Sequence, residues 1–154
     1  MLRKLFALFG LRDHGPAGDA VSQYDAFLAS GGEATHDVVL RPDPTAMENA
    51  DLQVRRDLEK TLSALYPDIA FYDDGYGFAR RSEAMLLVYA TRQPDRLVEA
   101  LVDLIENNKV PGYELAPAAM IAVAPREAES GPGEEFVNHR VVYPPSEGGK
   151  PVPD

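Results

Sequence analysis

Two periods of apolar residues alternate along the middle of this chain. HDVVLRP (36–42) reads as a strand ended by prolines. Met47, Val54, Leu58, Leu62 and Leu65 then recur at helical spacing. Arg55, Arg56, Asp57, Glu59 and Lys60 carry mostly the wet face of that helix. Thr45 and Glu48 form a capping box at its start, and Pro67 stops it. IAFYD (69–73) and MLLVYAT (85–91) read as strands. Pro94 fits the first turn of a second helix, whose apolar stripe is Leu97, Leu101, Leu104 and Ile105. Asn107 and Asn108 end it, Pro111-Gly112 marks a turn, and AAMIAVA (118–124) is a last core strand. The order is β-α-β-β-α-β, which predicts an α+β, ferredoxin-like split β-α-β sandwich with two helices on one face of an antiparallel sheet.

The flanks add to that core. Leu2, Leu5, Phe6 and Phe9 make one face of a helix that Gly10 could end. After a Gly/Pro linker, Val21, Tyr24, Phe27 and Leu28 predict a second short helix, stopped by Gly31-Gly32. FVNHRVVY (136–143) looks like an added strand, and PPSEGGKPVPD (144–154) a disordered tail. The expected division is an N-terminal helical extension (1–33), a ferredoxin-like core (34–125), a loop with an added strand (126–143) and the tail (144–154).

Helices on one side of a sheet should leave alternating apolar and polar strands. Here Met85, Leu87 and Tyr89 oppose Leu86, Val88 and Ala90, and both sets are apolar. Met120, Ala122 and Ala124 oppose Ile121 and Val123 in the same way. Both sheet faces are therefore expected to be buried. The cover for the second face would be the N-terminal helices, the 136–143 strand or a second copy of the chain in a homodimer.

Charge narrows the functional classes. Lys and Arg number 15 against 25 Asp and Glu, a formal net charge of -10. Nucleic-acid binding needs clustered positive charge, so a polyanion partner is disfavoured and a basic protein partner suits the chain better. There is no Cys, which excludes disulfides, thiolate metal sites and a cysteine nucleophile. His14, His36 and His139 are far apart and in no zinc-binding pattern, so neither metal nor cofactor is expected. No apolar run reaches the ~20 residues of a membrane helix. Arg3 and Lys4 beside the N-terminal stripe allow at most a weak membrane-surface contact, and the expected compartment is the cytoplasm.

The most suggestive stretch is DDGYGFARR (73–81). Gly75-Tyr76-Gly77-Phe78-Ala79 matches the centre of the RNA-recognition signature, in which Tyr76 and Phe78 would stack bases and Arg80 and Arg81 would meet phosphate. Against it, Asp74 stands where the signature is basic and Arg81 where it is aromatic. The simpler expectation makes Asp73-Asp74-Gly75 a turn and Gly77 a bulge. Tyr72, Asp73, Asp74, Tyr76, Phe78, Arg80 and Arg81 are the candidate binding patch, because Tyr and Arg are enriched at protein-protein hot spots. Adjacent carboxylates on a strand point to opposite faces, so Asp73 and Asp74 are a poor catalytic pair. The expected function is thus a non-catalytic protein-binding module, an acidic neutralising partner of a basic protein. The alternatives are a small-molecule-binding protein or enzyme with a pocket between the sheet and the N-terminal helices, and RNA binding through 75–79.

Overall fold

A computed structural model describes residues 19–42, 52–78, 85–112, 115, 119–126 and 139–150. It is an α+β structure in the order α1 (Asp19–Gly31), β1 (His36–Arg41), α2 (Leu52–Leu65), β2 (Phe71–Phe78), β3 (Met85–Thr91), α3 (Pro94–Glu106), β4 (Met120–Pro125) and β5 (Arg140–Tyr143). The order is therefore α-β-α-β-β-α-β-β rather than six elements alone. The five strands form one sheet in the order β2-β3-β1-β4-β5, with antiparallel neighbours throughout. The N-terminal stripe at 2–9 and the capping box at Thr45 and Glu48 lie outside the described residues.

The apolar stripes determine which faces meet. Val54, Leu58 and Leu62 of α2 and Leu97, Leu101 and Leu104 of α3 join Val38, Leu40, Leu87, Tyr89 and Ile121 of the sheet in one core. Leu58, Leu62, Leu97 and Leu101 are wholly buried, which stabilises the fold by roughly 2 kcal/mol for each side chain. Pro94 occupies the first turn of α3, where its missing N–H costs nothing, and Asn107 closes the helix.

The second sheet face is buried too. Leu86 and Ala90 of β3 and Met120 and Ala122 of β4 are shielded from solvent, and Val88 is half-buried. Part of the cover is α1, whose Phe27 and Tyr24 pack on Tyr72 and Ala90. Arg92 fastens the end of that helix. Its Nη1 donates to the carbonyls of Phe27 (3.2 Å) and Gly32, its Nη2 to Ser30 Oγ (2.6 Å), and its guanidinium lies over the Phe27 ring at 3.9 Å. A cation there satisfies the orphan carbonyls and meets the negative end of the helix dipole.

The C-terminal part corrects two expectations. The strand offered as a cover instead pairs edge-on with β4 and is shorter, Arg140–Tyr143. The stretch read as a loose tail returns along β5 as far as it is described. Pro145–Glu147 form a 3-10 turn, Val141 N donates to the Lys150 carbonyl (2.9 Å) and Gly149 N to the Val141 carbonyl (2.8 Å). Those bonds pair the outer edge of β5, which would otherwise offer free backbone groups. No helix among the described residues is long and apolar enough to cross a membrane.

Candidate functional site

β2 runs unbroken from Phe71 to Phe78, so Asp73-Asp74-Gly75 is not a turn. Asp73 lies opposite Tyr89 and Gly75 opposite Val88, which leaves Asp74 as the extra residue of a β-bulge. Gly77 pairs regularly with Leu86. Local chemistry explains the location: Asp73 Oδ1 accepts from Gly75 N at 2.8 Å, and Gly75 has φ +118, a conformation that L side chains rarely adopt.

The bulge re-sorts the side chains. In a regular strand Tyr72, Asp74 and Tyr76 would share a face. Here Tyr72 and Asp74 lie on the α1 side, whereas Asp73 and Tyr76 both lie on the side of α2 and α3. Each aspartate meets an arginine on its own side.

On the helix side, Arg55 of α2 grips Asp73 through Nε to Oδ2 and Nη2 to Oδ1 (2.8 Å). Its guanidinium also lies over the Tyr76 ring at 5.1 Å. The two paired side chains are only 12% and 9% exposed. Tyr89 is wholly buried nearby, and burial raises its hydroxyl well above its ordinary pKa, with the charges of Asp73 and Glu59 adding to the rise.

On the α1 side, Arg126 follows the last residue of β4 and gathers three partners. Nη1 donates to Tyr72 Oη (2.5 Å), Nη2 to Asp74 Oδ2 (2.9 Å), and Nε stands 3.5 Å from Asp37 Oδ1. Tyr24 and Phe27 meet the Tyr72 ring edge-on, at 5.1 and 5.0 Å between centroids. Burial pushes the Asp74 carboxyl up to about 7. Arg126 opposes that rise, but the negative charges of Asp37 and Asp73 reinforce it. Burial likewise raises Asp37, against the pull of Arg126 and His36, and raises the Tyr72 hydroxyl to about 12. One guanidinium thus serves two largely buried carboxyls, and burial favours the protonated form of each.

The candidate patch is therefore divided between two layers. Tyr72, Asp73 and Asp74 are engaged within the chain, Tyr76 packs against the helix-side core, and Phe78 ends the strand opposite Met85. Arg80 and Arg81 lie outside the described residues. Base stacking on Tyr76 would need an open sheet face, and this ring lies on the covered one. The sequence pattern misses Arg55, Asp37 and Arg126 as members of these clusters. Among the described residues no group of His, Cys, Asp and Glu is arranged to hold a metal ion. Comparison with family models, with curated proteins and with solved structures finds no match.

Proposed function

We propose that this chain is a non-catalytic binding module for a basic protein, built on a ferredoxin-like split β-α-β core (34–125) to which α1 and β5 are additions. In support of that core, β2-β3-β1-β4 are neighbours in this order, and α2 and α3 share one apolar cluster against one sheet face.

The direction of charge carries the functional proposal. Arg55, Arg92, Arg96, Lys109, Arg126 and Lys150 are each engaged by carboxylates or helix-end carbonyls of the chain itself, while Arg56 and Lys60 are exposed. Asp25, Glu33, Asp95 and Glu99 are exposed, with no ion-pair partner among the described residues. With a net charge of -10, the outward field is negative and steers cationic surfaces. A cytoplasmic setting belongs to the same proposal. The test is association with a panel of basic proteins, followed from low to high salt by surface plasmon resonance. The association rate of a true partner should fall steeply with salt and should fall again in Asp95→Lys/Glu99→Lys. A rate indifferent to salt counts against charge-steered binding.

The Asp37–Asp74–Arg126 cluster favours a second proposal, a small-molecule site or enzyme between the sheet and the N-terminal helices. A carboxyl that keeps its proton to about pH 7 is suited to acid-base work. Its test is a thermal-shift ligand screen on the wild type and Asp74→Asn. A ligand that stabilises only the wild type would favour it, and a ligand indifferent to that substitution would not.

A further inference from the structure

Among the described residues, two clusters on the second sheet face consist of strand residues: Val39 and Leu86 with Val88 beside them, and Met120, Ala122 and Val141. Val39 and Ala122 are nevertheless 0% exposed, Leu86 1% and Met120 2%, in a single chain. Neighbouring strands shield such side chains only from the flanks, and full burial needs a second layer on top. Among the described helices, α1 comes nearest, but Phe27 sits over Tyr72 and Ala90 instead.

The remaining segments of the chain differ in what they can offer. Residues 79–84 (ARRSEA) and 43–51 (DPTAMENAD) are mostly polar, and 127–138 (EAESGPGEEFVN) carries four glutamates and one aromatic. Only 1–18 holds a run of large apolar side chains at helical spacing. We propose that residues 2–9 are this missing layer, with Leu2, Leu5, Phe6 and Phe9 seated on Val39, Leu86 and Ala122. The reach is sufficient. Asp19 opens α1, which already lies on this face. The intervening residues 10–18 can extend to about 30 Å, whereas adjacent strands are about 5 Å apart. Arg3 and Lys4 fall off that stripe by sequence spacing. This inference does not depend on the identity of any partner.

The chain has no cysteine, so Ala7→Cys supplies a single attachment point for a nitroxide, off the apolar stripe. In the full-length protein the label should broaden away the methyl signals of Val39, Leu86 and Val88, while Leu97 and Leu104 behind the sheet keep most of their intensity. Phe6→Asp/Phe9→Asp in the same background should restore the lost signals and leave those of Leu97 and Leu104 in place. Full intensity at Val39 and Leu86 in labelled Ala7→Cys overturns the proposal, as does broadening that survives the double substitution. A mixture of labelled, isotope-unenriched chains with unlabelled, enriched ones identifies the occupant. Broadening confined to single-protein samples supports the chain's own segment, and equal broadening in the mixture assigns the face to a second copy and refutes the proposal.

Discussion

Replacing Asp74 by Asn should change how stability depends on pH. The substitution keeps the shape of the side chain and an oxygen to accept from Arg126 Nη2, and removes the ionisable proton. The carboxyl moves from 3.8 to about 7 on folding. Those ~3 units at 1.36 kcal/mol each come to on the order of 4 kcal/mol. The side chain is 9% exposed, so solvent screens little of this. The sign is that of a raised acid. Below about pH 4 both states are protonated and stability is full; between about 4 and 7 the unfolded chain has released its proton and the folded chain has not, so stability falls as pH rises. Burial raises Asp37 and gives a smaller contribution of the same sign. Asp68 and Asp103 are lowered by hydrogen bonds from Arg96 and Lys109, so their opposite contributions are lost only below the usual carboxylate range. Urea unfolding followed by circular dichroism at about pH 5 and about pH 8 should therefore show a wild-type loss of about 3 kcal/mol. Asp74→Asn should lose much less, its remaining slope coming from Asp37. Equal slopes in the two proteins, or a wild type that gains stability over this range, would refute a proton held at Asp74.

Other perturbations separate the layers. Arg55→Ala leaves the Asp73 carboxylate buried without its bidentate partner and should cost about 3 kcal/mol in urea unfolding; a loss near zero would mean that Asp73 finds water. Phe27→Ala removes the ring from between Tyr72 and Arg92 and should cost about 3 kcal/mol. Amide exchange should accelerate through Asp19–Gly31 but not through α2, so equal acceleration in both helices would contradict a separately docked α1. Gly32→Ala, at φ +94, should destabilise by about 1 kcal/mol. Gly31→Ala should also destabilise, because its added Cβ meets at 3.2 Å the Arg92 guanidinium that Phe27, Ser30 and Gly32 hold in place. Melting temperatures check both, and an unchanged value for Gly31→Ala would count against Arg92 as the clasp of that helix end.

Local pattern was enough to place α2, α3, β1, β3 and β4, because burying one stripe of a helix or both faces of a strand leaves a period readable over a few residues. It was also enough to predict that Leu86 and Leu87 would both be buried. The clusters around β2 could not be read that way. Arg55 and Asp73 are 18 residues apart, and Arg126 and Asp74 are 52 apart, so no window of sequence contains either pair. The sense in which the β2 side chains point depended on one further event. A single bulged residue reverses the alternation for everything after it, moving Tyr76 from the face of Tyr72 to that of Asp73. Propensity predicted a turn at Asp73-Asp74-Gly75 and a bulge at Gly77, whereas β2 runs through both and its bulge falls at Asp74, between an arginine from α2 that meets one carboxylate and an arginine after β4 that meets the other.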